Sequence, residues 1–176
     1  MPIDVRPAAD SDLPAILEIY NDVIATSTAV YTGEATSLAE RTAWRAARIQ
    51  AGYPVLVATD QGTVLGFGSF GDWRSAWPGY RHTIEHTVHV RADRRAHGVG
   101  TALMERLIAE AGKIGKHVMV GAIDADNEQS IRFHARLGFA QVAHFRQVGR
   151  KFDRWLDLVF MQRMVDPLHG NESHAG

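Results

Sequence analysis

The chain has 176 residues, enough for one compact domain and short for two. Its 19 Lys plus Arg nearly cancel its 20 Asp plus Glu, so no chain-wide basic field exists to gather nucleic acid or an anionic membrane. The absence of cysteine removes disulfides, thiolate nucleophiles and Cys-based zinc sites, and it suits a reducing compartment.

Residues 3–6 read as a short strand. Asp10 and Ser11 are N-cap candidates for a first amphipathic helix, whose Leu13, Ile16, Leu17, Tyr20, Val23 and Ile24 recur at helical spacing. A second helix is predicted over about 37–50, stopped by Gly52 and Pro54. Residues 55–59 and 64–70 switch to period 2 and flank Asp60, Gln61 and Gly62 as a hairpin. The segment 72–80 is a loop, and Trp73 and Trp77 make it a candidate substrate loop. Residues 82–90 alternate as a strand, 99–114 carry Leu103, Met104, Leu107, Ile108 and Ala111 as one helical stripe, and 118–123 form another strand. Asn127 can cap a short helix ending before Gly138, after which 139–148 and 155–164 complete the strands. The order β-α-α-β-β-β-α-β-α-β-β predicts an α/β fold, a mixed sheet covered by helices. One domain over 1–165 with a flexible tail at 166–176 is expected. Charges and prolines near the start, and no run approaching the roughly 18 apolar residues of a membrane span, make the expectation a cytoplasmic protein without a membrane partner.

The most informative stretch is Val88-His-Val-Arg-Ala-Asp-Arg-Arg-Ala-His-Gly-Val-Gly-Thr101, where a strand runs into a basic, glycine-bearing turn that opens a helix. Gly98 and Gly100 remove side chains where a ligand must approach the backbone. The first N–H groups of the helix are unpaired donors at the positive end of its dipole, which favours a phosphate. Arg94 and Arg95 add charge beside them. The turn lacks the Gly-Lys-Ser/Thr of a P-loop and the Gly-x-Gly-x-x-Gly of a dinucleotide fold, which disfavours a nucleotide-hydrolysing enzyme.

Arg95-x-x-Gly98-x-Gly100 resembles the acetyl-CoA pyrophosphate loop of the GNAT acetyltransferases. Some 30 residues on, Asn127-x-x-Ser130-x-x-x-His134-x-x-x-Gly138-Phe139 resembles that family's Asn-x-x-Ala/Ser-x-x-x-Tyr-x-x-x-Gly-Phe helix. The resemblance implies the GNAT fold, a mixed and mostly antiparallel central sheet flanked by helices, and acetyl-CoA as co-substrate. It implies a cofactor site at Val88, His89, Val90, Arg95, Ala96, His97, Gly98, Val99, Gly100 and Thr101, with Asn127 and Ser130 along the pantetheine arm. His134 stands where the family has the Tyr that protonates the departing thiolate, and an imidazolium can also donate a proton.

Gly71-Asp-Trp-Arg74, His82-Thr-Ile-Glu-His-Thr-Val-His-Val90, Gly121-Ala-Ile and Gln147-Val-Gly-Arg-Lys-Phe-Asp-Arg-Trp-Leu-Asp157 narrow the resemblance to the phosphinothricin and methionine sulfoximine N-acetyltransferases. Those enzymes form homodimers and acetylate the α-amine of amino-acid analogues. An α-amine is mostly protonated near neutral pH, so a base must deprotonate it before it attacks the thioester. Glu85 matches the position of the family's catalytic glutamate. Transfer in a ternary complex needs no covalent enzyme intermediate, in keeping with the missing cysteine. A backbone N–H of 88–90 is the expected oxyanion donor, again by family likeness. Candidate substrate contacts are Trp73, Arg74, Ser75, Glu85 and His86, together with Tyr31 and Lys151, which the family's dimer would offer to the neighbouring protomer. Asp153 stands where the family's late hairpin has Gly, and Thr28-Ala-Val-Tyr31 departs from its usual loop.

His82, His86 and His89 invite a metal reading, but on an extended strand His82 and His86 are about 13 Å apart at roughly 3.3 Å per residue, too far for one ion. No metal is expected. Three classes stay open: acetylation of an amino-acid analogue, acetylation of a protein N-terminus or polyamine, and a non-catalytic CoA-binding module. The Trp73 loop lacks the acidic cluster that a polyamine would need.

Overall fold

The computed structural model describes residues 3–165, and the tail expected at 166–176 lies outside them. In chain order the strands are β1 (Asp4–Pro7), β2 (Val55–Asp60), β3 (Thr63–Asp72), β4 (Thr83–Val90), β5 (Val118–Asp124), β6 (Ala140–Lys151) and β7 (Arg154–Met164). The helices are α1 (Leu13–Thr26), α2 (Leu38–Gln50), α3 (Val99–Lys113) and α4 (Glu128–Arg136), in the order expected from the sequence. The strands form one sheet, β1-β2-β3-β4-β5-β7-β6, antiparallel at every step except β4 to β5. Among the described residues no helix is long and apolar enough to cross a membrane.

Local chemistry accounts for most boundaries. Ser37 accepts from the Glu40 amide at 3.2 Å, and the Glu40 carboxylate accepts from the Ser37 amide at 2.7 Å, a capping box that starts α2. Gln61 and Gly62 both take positive φ, 49° and 81°, the conformation that matches the twist of a two-residue hairpin between β2 and β3. At the β6–β7 turn Phe152 and Asp153 do the same, with φ 49° and 57°, so aspartate fills a left-handed position usually given to glycine. The start of α1 differs from expectation. Neither Asp10 nor Ser11 caps it; Asp12 accepts from the Ala9 amide at 2.7 Å and takes a two-bond clamp from Arg6, and a 3-10 turn over Asp10–Asp12 leads into the helix.

Over β2 and β3 the sheet is covered on both faces. Against one face α3 packs Leu103, Met104 and Leu107, each fully buried, on Ile84, Met119 and Phe70. Burying a side chain of that size contributes about 1.5–3 kcal/mol. Against the other face α1 lays Ile16 and Ile19 on Val55, Val57 and Phe67, with Trp44 of α2 at the margin. This double cover buries β2 and β3 at almost every position, in place of the period-2 alternation expected of them.

The parallel pair opens the molecule. β4 and β5 are in register only over Thr83–Glu85 and Val118–Val120. Beyond that point β4 keeps β3 as far as Val90, and β5 turns to β7 as far as Asp124. The two strands therefore part at Glu85.

Candidate active site

The gap between the parted strands leads into a cavity of about 420 Å³ bounded by the start of α3, by α4 and by Val23, Ser27 and Ala29 at the end of α1 and just after it. Its walls include Val88, His89, Val90, Arg95, Ala96, Gly98, Gly100, Thr101, Asn127, Ser130 and His134, so most of the expected cofactor residues come together. His97 and Val99 do not line it: His97 is exposed with its Nδ1 2.7 Å from the Arg95 carbonyl, and Val99 is packed in the core. Gln129, Phe133 and Arg136 also line the cavity, and sequence reasoning missed them.

The floor of the cavity is the start of α3. Gly98 caps the helix with φ 83°, and Ala96 two residues earlier is also left-handed at φ 64°. A non-glycine residue there is strained, the sort of conformation that gathers at ligand sites. The first intrahelical bond runs from the Ala102 amide to the Gly98 carbonyl, leaving the amides of Val99, Gly100 and Thr101 without helical acceptors. A Cβ at Gly98 would meet nothing nearer than Ile3 at 3.9 Å, so the space above this turn is open. With Arg95 and Arg136 on the walls, the donor set matches a diphosphate.

Asn127 accepts from the Ser130 amide at 3.0 Å, which starts α4 and turns His134 inward. His134 is buried, its Nδ1 2.7 Å from the Ser130 carbonyl and its Nε2 3.1 Å from Nε2 of His86. A carbonyl only accepts, so His134 carries its proton on Nδ1, and its Nε2 must accept from His86 Nε2–H. His86 then has a bare Nδ1, which is buried without a hydrogen-bond partner. Burial, with His134 and His89 beside it, pushes His86 down to about 3, and burial lowers His134 as well. Both rings are neutral at physiological pH. In this tautomer His134 presents no N–H to the cavity, and His86 lines the cavity wall, stacked at 5.0 Å on His134. Gly121 permits the contact, since a Cβ there would stand 2.6 Å from His86 Nε2.

Alternation along β4 sends Glu85 to the opposite face, toward α2. There it is half-buried, and loss of water raises its pKa above the ordinary glutamate value while Arg48 pulls it back. Its cross-strand neighbours are Gly71 and Val120, and Ala122, two residues along β5, is exposed in a strand otherwise largely buried. Phe160 of β7 pairs with Ala122, and Trp73 meets the Phe160 ring edge-on at 5.3 Å. The patch beside Glu85 is therefore open and edged by aromatic rings. His89 also leaves the α3 side, packing its ring on Tyr20 and Phe67, and burial with nearby Arg41 and Arg95 holds it down at about 4.

The remaining substrate candidates are dispersed. Arg74 is exposed and lies over Trp77 at 4.9 Å and Tyr80 at 5.5 Å; Ser75 is exposed on the same loop. Tyr31 stays in its own protomer, its ring against Gly149 and its hydroxyl donating to the Asp157 carbonyl at 3.1 Å; burial pushes it up to about 12. Lys151 is corrected outright: it is buried, and its ammonium donates to the carbonyls of Ile24, Ser27 and Val30 at 2.6, 2.6 and 2.8 Å. Its three protons are engaged, so it ties the loop after α1 and has none for a substrate carboxylate.

A parallel strand pair that forks beside a carboxylate, with a phosphate-type helix start on one face and an open patch on the other, defines an acyl-CoA-using N-acyltransferase. The chain belongs to the acetyltransferase (GNAT) family, whose family model matches residues 16–139, and it is an N-acetyltransferase. It is 49% identical over 168 residues to the L-methionine sulfoximine/L-methionine sulfone acetyltransferase of Pseudomonas paraeruginosa, covering 95% of this chain and 97% of the relative. The L-amino acid N-acyltransferase MnaT of Escherichia coli is 47% identical, with 93% and 95% covered. The solved structure of yncA from Salmonella typhimurium with its cofactor acetyl-CoA superposes at a TM-score of 0.90, with 46% identity and 96% of each chain covered.

Proposed function

We propose that this N-acetyltransferase moves the acetyl group of acetyl-CoA to the α-amine of a small amino-acid analogue of the methionine sulfoximine, methionine sulfone or phosphinothricin type, with Glu85 as general base. The observation that carries the reading is the place of Glu85: it is the last residue of β4 that β5 pairs, so the carboxylate stands at the fork between the cavity and the open patch. The printed activities of the relatives supply the substrate class.

The residues fit the co-substrate. The unpaired amides at the start of α3 with Arg95 and Arg136 would hold its diphosphate, and Asn127, Ser130 and Phe133 would line its arm. When bound it supplies the activated acyl carbon. From this chain, Glu85 takes a proton from the substrate ammonium, directly or through water, and the freed amine attacks in a ternary complex. The β4 backbone beyond Glu85, which β5 leaves unpaired, offers an N–H to the developing oxyanion. His134 is given no acid role. The proton that the amine nitrogen sheds after attack would balance the departing thiolate, so no separate acid from this chain is required. A homodimer in the cytoplasm completes the reading, suited to a chain without cysteine.

The test is release of free thiol from acetyl-CoA in the presence of amino acids, their sulfone, sulfoximine and phosphinate analogues, polyamines and short peptides. The analogues are expected to exceed polyamines and peptides by at least about 100-fold in kcat/KM. Equal or greater turnover with a polyamine or peptide would reject the substrate class.

A further inference from the structure

Arg48, on the last full turn of α2, has no role in the sequence reading, and its surroundings are unusual. Its Nε is buried without a hydrogen-bond partner. Its guanidinium lies against Gly71 of β3, Nη1 foremost: a Cβ at that glycine would stand 2.5 Å from Cζ and 2.9 Å from Nη2. Cβ atoms do not come so close, so the cation occupies the volume that any side chain at position 71 would fill. Gly71 is the in-register partner of Glu85, and directly opposed side chains on neighbouring strands lie about 5 Å apart. The guanidinium therefore sits beside the Glu85 carboxylate, in the seat of its missing cross-strand neighbour.

Directly opposite Glu85, β3 places Gly71 and β5 places Val120, neither of them titratable. Along β4 itself His86 turns to the other face and is neutral. Among the described residues Arg48 of α2 is the charged group whose field reaches Glu85, without a direct hydrogen bond. An ion pair closed by such a bond would occupy the carboxylate oxygen that must accept the substrate's proton. A cation held alongside favours the ionised form and leaves the oxygens free.

We propose that Arg48 is a positioning residue for the reaction: seated on Gly71, its charge keeps Glu85 an ionised, unoccupied base. This rests on Glu85 being that base. The experiment compares kcat/KM from pH 5.5 to 9 in wild type, Arg48→Gln, Arg48→Lys and Gly71→Ala, each checked for a cooperative melt, with Glu85→Gln alongside. Arg48→Gln should lose about 10-fold or more at pH 6 and no more than about 2-fold at pH 9, because high pH ionises Glu85 without help. Gly71→Ala, which evicts the guanidinium and leaves both charged groups in the chain, should show the same pH-dependent loss. Arg48→Lys should recover part of it, and acetyl-CoA affinity should not change.

A loss of equal size at every pH would overturn the inference, since it marks a packing or substrate-binding role. So would an unchanged profile in Arg48→Gln or Gly71→Ala. Full activity in Glu85→Gln would instead strike the reading of Glu85 beneath it. A defective Glu85→Gln with unaltered Arg48→Gln and Gly71→Ala would sink this inference alone.

Discussion

The half-buried Glu85 carboxyl, its pKa raised by lost hydration, sets activity against stability at a single residue. A group whose folded pKa lies above its unfolded value favours folding below the unfolded pKa, and that contribution is lost as pH rises through the folded value. At neutral pH the ionised base therefore weakens the fold. Glu85→Gln is expected to lower kcat/KM at pH 7 by about 100-fold or more while raising the melting temperature, with the gain shrinking as pH falls through the raised folded value and gone below the ordinary glutamate range. A pH series of thermal melts beside the thiol assay reads both, and a variant that is slow and also less stable at neutral pH would contradict the burial argument. Lys151 works in the opposite direction. It holds three carbonyls of the segment after α1, and its removal leaves them without a donor in the interior. Lys151→Ala should cost about 3 kcal/mol, roughly 6–12 °C in melting temperature for a chain of this size. A drop below about 2 °C would show that water replaces the ammonium.

At the scale of the element, the start of α3 decides whether the co-substrate binds. Gly98 already has a left-handed backbone, and the space above it is open. Gly98→Trp should therefore cost about 1–2 kcal/mol in backbone strain and send the indole into the cavity. Calorimetric titration should show acetyl-CoA binding weakened by more than about 100-fold in a protein that still melts cooperatively, and normal affinity would contradict the phosphate role of this turn. Elements governed by neighbours in sequence were legible in advance: the span of α2, the Asn127 cap, the turns at Gly62 and Gly138, and the apolar stripe of α3. Those governed by distant neighbours were not. Asp10 and Ser11 read as the caps of α1, but Arg6, arriving from β1, clamps Asp12 instead and a 3-10 turn leads into the helix. Lys151 reads as a surface charge until the loop after α1 folds over it. Arg48 looks like one more polar residue on α2, and only the pairing of Gly71 with Glu85 gives it a seat. The His86–His134 contact needs β4, α4 and Gly121 at one point, and no spacing in the sequence records that.

At the scale of the molecule, the sheet ends unevenly. β1 is a four-residue edge, whereas β6 is a twelve-residue edge strand carried with β7 as a long hairpin. Along that hairpin Val142, Phe145, Val148, Phe152, Trp155 and Met164 are each about half exposed or more. Apolar side chains gathered on one edge favour association, and a long unpaired edge offers backbone groups to a second strand. Two copies meeting through their β6–β7 hairpins would cover both, so light scattering should give twice 19.4 kDa at micromolar concentration. Trp155, 61% exposed, is the largest of these side chains. Trp155→Asp should weaken the dimer at least about 100-fold, since truncating a central aromatic anchor commonly removes 2 kcal/mol or more and a buried carboxylate adds its own penalty. A monomeric wild type would end the proposal. Among the described residues, none that lines the cavity lies on the β6–β7 hairpin, and Tyr31 and Lys151 are hydrogen-bonded to their own chain. The monomeric variant should therefore keep its acetyl-CoA affinity, and any loss of activity should appear in the KM of the amine, because the substrate patch beside Phe160 and Trp73 borders the same hairpin.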